Sequence, residues 1–201
     1  MSAPQAKSRK EQAMNEPAIR TDRVCPAAHA GWLSTPLRRL GQDPRRILRG
    51  LVTESDTAVD LGCGPGFFTL PMASMTGPGG TVIAVDLQQE MLDRLRLLAE
   101  RAGLASRIRL HRCRQDGLDL DCQADFALAF YMLHEVPDAA PFLEQVCRAL
   151  KNKGRFLLVE PKGHVSASDF SRSIELAGKA GMNAVSEPRL AFSRAVLLER
   201  A

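Results

Sequence analysis

Two aspartates and a glycine-rich turn carry the most specific chemistry in this sequence. Asp60 lies in a short apolar run, Ala58-Val59-Asp60-Leu61, which leads into Gly62-Cys63-Gly64-Pro65-Gly66 with glycines at alternate positions. Glycine has no Cβ, so a strand that runs into such a turn brings bare backbone close to a ligand. The spacing departs from the G-x-G-x-x-G pattern that sets a helix N-terminus against a pyrophosphate. A carboxylate at position 60 would repel a pyrophosphate and suits a ligand that carries an ammonium group. Asp86 lies twenty residues beyond Gly66, where a carboxylate can accept from both hydroxyls of a ribose. No P-loop lysine follows the turn. The ligand these residues describe is a ribose-bearing cation with little need of phosphate.

A second group stands later in the chain. Tyr131 closes the apolar run 124–131, His134 and Glu135 follow it, and His164 follows a run that closes at Glu160. A neutral imidazole titrates near working pH, so His134 is the best general base among them, with Tyr131 beside it; the alternative for His134 is a polar residue opening a helix. His164, in Pro161-Lys162-Gly163-His164, is expected at the same rim. His29 and the single tryptophan, Trp32, lie in the N-terminal segment, where ordinary helix packing competes with substrate contact. No His/Asp/Glu cluster with ligand spacing implies a metal. Five cysteines (Cys25, Cys63, Cys113, Cys122, Cys147) form no C-x-x-C pair and define no disulfide framework. Cys63 is read as a small residue of the loop and not as a nucleophile.

The elements that must hold these residues are legible from periodicity. Thr57–Leu61, Thr81–Asp86, Arg107–Arg112, Ala124–Tyr131 and Gly154–Glu160 read as strands, with helices over Phe67–Met75, Gln89–Ala102 and the stretch opened by Asp138. Arg-Ile-Arg-Leu-His-Arg at 107–112 alternates and belongs near an edge, whereas the apolar 124–131 belongs at the centre. Ser166 or Ser168 opens another helix ending near Gly181. Ala184-Val185 and Ala191–Leu198 look like a closing pair of strands. Asp43-Pro44 caps a short helix before Arg45-Arg46-Ile47-Leu48-Arg49, and Ser34 or Thr35 with Pro36 repeats the device upstream. Strands alternating with helices argue a doubly wound, mostly parallel α/β sheet, whose ligands bind at the carboxyl ends of the strands.

At 201 residues the chain has room for one domain and a tail, and 45% hydrophobic with 25% charged residues is ordinary globular composition. Residues 1–22 are poor in large apolar side chains and are expected to be a disordered tail. The net charge of +4 permits nucleic-acid contact, although a solvated basic face is the simpler reading. No apolar run has the length of a membrane span and no signal-peptide core is present, so a cytoplasmic protein is expected.

Taken in order, these residues resemble a class I S-adenosylmethionine-dependent methyltransferase. The D-x-G-x-G-x-G motif is matched by Asp60 to Gly66 and the strand-two acid by Asp86. The acid after strand three is matched by Gln115-Asp116-Gly117. The Arg-Ala-Leu-Lys-Asn-Lys-Gly-Arg turn into strand five is similar to the L-K-P-G-G signature of the small-molecule branch that includes the ubiquinone/menaquinone C-methyltransferases, with Asn152 in place of proline. The resemblance implies a seven-stranded Rossmann-like fold over 53–201, a helical lid over 23–52, and S-adenosyl-L-methionine as cofactor. It makes Asp60, Gly62, Cys63, Gly64, Asp86, Leu87, Asp116, Gly117 and Phe130 the cofactor-binding set. Asp60 would orient the loop and the methionine ammonium, Asp86 would hold the ribose, Leu87 would pack on adenine and Asp116 would accept from its amino group. Phe130 and Tyr131 would line the path to the acceptor, and His29, Trp32 and His164 would contact it.

The expected acceptor is a small molecule. Amino-methylating nucleic-acid enzymes of this fold carry an Asn/Asp-Pro-Pro-aromatic run where this chain has Tyr131-Met132-Leu133-His134. Protein arginine methyltransferases place two glutamates there, and only Glu135 is present. Methylation of RNA, or binding of the cofactor without catalysis, are the alternatives.

Overall fold

The computed structural model describes residues 42–201. The expected tail over 1–22 and the upstream part of the expected lid, with His29, Trp32 and the Ser34–Pro36 cap, lie outside the described residues. The described chain runs α1 (Pro44–Leu48), β1 (Thr57–Leu61), α2 (Thr69–Met75), β2 (Thr81–Asp86), α3 (Gln89–Arg101), β3 (Ile108–Arg112), β4 (Ala124–Phe130), α4 (Ala139–Ala149), β5 (Leu150–Pro161), α5 (Ala167–Lys179), β6 (Met182–Ser186) and β7 (Ser193–Arg200).

Among the described residues these strands form one seven-stranded sheet in the order β3-β2-β1-β4-β5-β7-β6. The first five in sequence are parallel neighbours. β7 runs antiparallel between β5 and β6. The doubly wound, mostly parallel sheet expected from the sequence is therefore present. β3 lies at one edge with two of its five residues exposed and the others half-buried, and β4 lies at the centre and is almost wholly buried. One face packs against α4 and α5 through Phe142, Leu143, Val146, Phe170 and Ala177. The other is covered by Leu48, Phe68, Met72 and Ala73, and, over β2, by Leu92 and Leu95 of α3. Burial of these two apolar faces drives the sheet to form between two helical layers.

Local signals set the ends of the helices. The Asp43 carboxylate accepts from the Arg45 N–H at 3.0 Å, with Pro44 in the first turn of α1. Asp138 accepts from Ala140 at 3.1 Å and Ser166 from Asp169 at 3.1 Å, opening α4 and α5. Several boundaries differ from periodicity by a few residues, two of them for a clear local reason. α2 begins at Thr69 because Phe67 and Phe68 still belong to the glycine turn, where Phe68 is buried beneath Phe130. β5 begins at Leu150 and not at Gly154. Its polar start, Lys151-Asn152-Lys153, is carried as strand by a register shift against β4 between Ala124 and Phe126.

The order β3-β2-β1-β4 reverses direction between β1 and β4, and sheets of this kind bind ligands at the carboxyl ends of the strands beside such a reversal. The buried acids of the described chain are Asp60, Asp86 and Glu160, at 3%, 8% and 1% exposure. All three sit at the carboxyl ends of β1, β2 and β5. A buried carboxylate is unfavourable unless donors compensate it, so this edge of the sheet is where the fold holds polar chemistry.

Candidate active site

The three glycines after β1 answer to three different demands. A Cβ on Gly66 would lie 2.4 Å from Leu95 Cδ1, so this glycine lets α3 close on the turn. A Cβ on Gly62 would lie 3.0 Å from the Cβ of Met132, so the turn after β1 lies directly against the segment leaving β4. Gly64 has φ +52°, and a Cβ there would meet nothing within 4 Å. That side of the loop is open space.

Asp86 fixes this loop from the neighbouring strand. Its Oδ2 accepts from the Gly64 N–H and its Oδ1 from the Gln88 N–H, both at 2.9 Å. Burial raises its pKa above the ordinary carboxylate value, and the N–H groups of Gln88, Gly64 and Leu87 oppose that rise. Each oxygen retains a lone pair for a further donor. Asp60, buried one strand away, accepts from the Thr69 hydroxyl at 2.6 Å, which couples the end of β1 to the first residue of α2. The Cys63 amide donates to Val85 O at 2.9 Å, while its thiol faces Ala84, Leu92 and Leu95. Burial, reinforced by Asp60 and Asp86, pushes the Cys63 thiol well up, as burial pushes Cys113 up to about 11. Neither is a nucleophile at neutral pH.

The other expected cofactor residues are placed less uniformly. Leu87 is half-buried just past the end of β2 and belongs to none of the core clusters. Phe130 is buried, its ring 4.5 Å from Phe68 on one side and 4.5 Å from Tyr131 on the other. Gly117 is buried. The Asp116 carboxylate is 84% exposed and pairs with Arg114 Nε at 3.2 Å. The chain after β3 does approach the loop, through the Cys113 N–H donating to Asp86 O at 3.1 Å. It is steadied by the Leu118 N–H donating to Gln145 Oε1 at 2.8 Å and by the His111 ring on Leu118 O at 2.7 Å.

The segment leaving β4 turns sharply at Tyr131, whose φ is +62°. That backbone is unfavourable for a bulky residue and needs support from its surroundings. Support comes through the phenol. Gln42 Nε2 donates to Tyr131 Oη at 2.6 Å, and Tyr131 Oη lies 2.5 Å from Ser193 Oγ. Since the Ser193 hydroxyl donates to Ala191 O at 3.0 Å, the relay is consistent when Tyr131 gives its proton to Ser193. The chain then makes a short turn, Leu133–Glu135, held by Glu160. Glu160 Oε1 accepts from the N–H of Leu133 at 2.8 Å and of His134 at 3.3 Å, and Oε2 meets His134 Nδ1 at 2.5 Å. His164, exposed beyond β5, presents its ring edge-on to His134 with centroids 6.0 Å apart. The Glu160 hydrogen bond, then its charge and that of Glu135, raise the His134 pKa above 6.5 against the opposing effect of burial.

Thus His134 and His164 are brought together, and the Met132 contact sets the turn of His134 against the glycine loop. Thr69, Gln42, Ser193 and Glu160 were not singled out from sequence. Only Glu160 left a signal there, as an acid closing an apolar strand in the manner of Asp86. No group of three His, Cys, Asp or Glu that could hold a metal occurs among the described residues, and none of their helices is long and apolar enough to cross a membrane.

Comparison with known proteins bears on the family and the fold. A demethylmenaquinone methyltransferase of Lactobacillus johnsonii is 34% identical over 112 residues, 54% of this chain and 45% of the relative. The chain thus spans less than half the length of that protein. A SAM-dependent methyltransferase from Aquifex aeolicus superposes with TM-score 0.80 over 89% of this chain and all of the other, at 21% identity. The cyclase SpnF shares the fold at TM-score 0.67 and 13% identity, over 79% of this chain and 81% of its own, so the fold alone does not dictate the reaction. A family model described as a methyltransferase domain matches residues 53–188, more than half of the chain. That span runs from β1 through β6 and contains the glycine loop, Asp86, His134 and Glu160, and by it the chain belongs to the methyltransferase-domain family.

Proposed function

We propose that this chain transfers a methyl group from S-adenosyl-L-methionine to a small-molecule acceptor. The observation that carries the reading is the pairing of Asp86 with the open Gly64. One carboxylate is held by main-chain N–H groups with lone pairs to spare for ribose hydroxyls, beside a glycine whose free side admits a ligand. These residues fit the cofactor that the family implies. Asp86 would hold the ribose, Gly62, Cys63 and Gly64 would present backbone to the methionine portion, and Asp60 would supply negative charge nearby. Leu87, Gly117 and Phe130 would border the adenine and the path beyond it. Asp116 would reach the base only by leaving Arg114.

The cofactor supplies a methyl group already activated on a sulfonium, so the protein has chiefly to position an acceptor and remove any proton it must lose. His134 is the residue for that second task, with His164 at the same rim. Tyr131, which gives its proton to Ser193, shapes the wall. Calorimetry with S-adenosylmethionine and its demethylated product tests the binding half. Demethylmenaquinone, the substrate named for the Lactobacillus relative, is the first acceptor to assay. Absence of binding by the folded protein would overturn the reading.

A further inference from the structure

The reading above leaves Glu160 without a part, although it is the most buried acid of the described chain at 1% exposure. Three donors converge on it. Its Oε1 takes the main-chain N–H groups of Leu133 and His134, and its Oε2 takes the His134 ring at 2.5 Å. An ionised carboxylate can only accept, so the ring nitrogen facing it must carry the proton. A neutral imidazole has one N–H. With Nδ1–H spent on Glu160, Nε2 is left with its lone pair. The turn that carries this ring abuts the glycine loop, because Met132 fills the space beside Gly62.

We propose that Glu160 is a positioning residue of the methyltransfer reaction: it fixes His134 in the Nδ1–H tautomer, so that Nε2 is the base and the acceptor is one that gives up a proton. This rests on the methyltransferase reading and deepens it. The proton passes from the acceptor atom to Nε2, the electron pair stays on that atom as the nucleophile, and the imidazolium then returns its proton to water. An acceptor hydroxyl, amine N–H or acidic C–H satisfies this; a thioether or a tertiary amine has no use for the base. The titratable and charged groups around the ring are Glu160 from β5, Glu135 on its own turn and His164 beyond β5. Both carboxylates favour the imidazolium, so the base works above, and is lost below, a pKa higher than the ordinary one.

Nitrogen-15 correlation spectra of the histidine-labelled full chain test this without any acceptor. The chain has four histidines, and the His134→Gln spectrum assigns the signal. In the wild type, above its titration, His134 should show a protonated Nδ1 and a bare Nε2. In Glu160→Gln the side-chain oxygen can still take the two main-chain N–H groups, but its NH2 donates to the ring. The tautomer should then invert to Nε2–H and the pKa should fall. A wild-type His134 protonated at Nε2 overturns the proposal with no variant needed. So does a tautomer and pKa unchanged in Glu160→Gln. Calorimetry with S-adenosylhomocysteine separates the two readings: binding within about twofold in wild type and Glu160→Gln is expected, whereas its absence from both overturns the methyltransferase reading, and with it the catalytic part of this one, even where the spectra bear out the tautomer. With an acceptor in hand, Glu160→Gln should lower kcat at least tenfold with KM for S-adenosylmethionine held.

Discussion

Asp86 and Glu160 both end a parallel strand, both are buried, and both gather the N–H groups of a neighbouring turn, yet they commit their oxygens differently. Asp86 gives both oxygens to main chain, from Gly64 and Gln88. Glu160 gives one to main chain and the other to a titratable ring. The β1–β2 side is therefore a mould fixed by main-chain donors. The β4–β5 side is a mould with a proton-bearing group built into it. The same strand-end device thus serves recognition on one side and acid–base chemistry on the other, according to what the adjacent turn offers the second oxygen.

The contrast can be broken most forcefully at the mould. Gly66→Ala places a methyl where Leu95 Cδ1 already stands, on a backbone with φ +98°. Overpacking and left-handed strain together should lower stability by about 3 kcal/mol, roughly 6–12 °C in Tm for a domain of this size. An unchanged melting curve would show that the loop is not held as tightly as the packing implies. Next in size, Asp86→Ala removes the anchor itself. Losing hydrogen bonds to a charged group should weaken S-adenosylmethionine by roughly 1.5–3 kcal/mol, about 10- to 150-fold in Kd. Equal affinity by calorimetry would detach Asp86 from the ligand.

Tyr131→Phe sharpens the comparison from the other side. It cuts the Gln42 and Ser193 hydrogen bonds and should reduce stability by about 1 kcal/mol, seen as a Tm lower by a few degrees, with cofactor affinity preserved. A large loss of cofactor binding instead would mean that the two sides are one unit. The smallest effect is the pH dependence of stability. The folded pKa of His134 is raised above 6.5, so its contribution is complete below the ordinary value and disappears as pH rises through the folded one. The stability difference between wild type and His134→Gln should therefore shrink from pH 6 upward. A difference that grows with pH would contradict the ion pair.

How much of this was legible in the chain depends on the range of the interactions. β1, β2 and β4 were readable because each is a short apolar run bounded by an acid, a glycine or a turn, and β3 because apolar and charged residues alternate along it; Asp86 was readable because its distance from the loop is a property of the β-α-β unit. The start of β5 was not, because Lys151-Asn152-Lys153 is polar and lies in the register shift between the paired residues Leu150 and Arg155. The acceptor side was least legible. Tyr131 meets Gln42 across 89 residues and Ser193 across 62, and His134 meets Glu160 across 26. Pattern within a window cannot supply such pairings. The sequence reading could place His134 at the rim but could not say which of its nitrogens was occupied. The exposed Asp116, salt-bridged to Arg114, shows the converse: a residue at the expected position whose contacts are not those of a buried ligand anchor.

The direction of β7 has a consequence for how such a site can change. Parallel strands offer this rim only the residues that follow them, so altering those residues disturbs a crossover and its helix. β7 runs the other way, and Ser193, its first residue, arrives at the rim opposite Pro161. The short connection 187–192 therefore adjoins the acceptor side yet joins only two edge-ward antiparallel strands. Insertions or substitutions there can reshape the acceptor wall while every parallel crossover, and the cofactor mould with them, stays as it is.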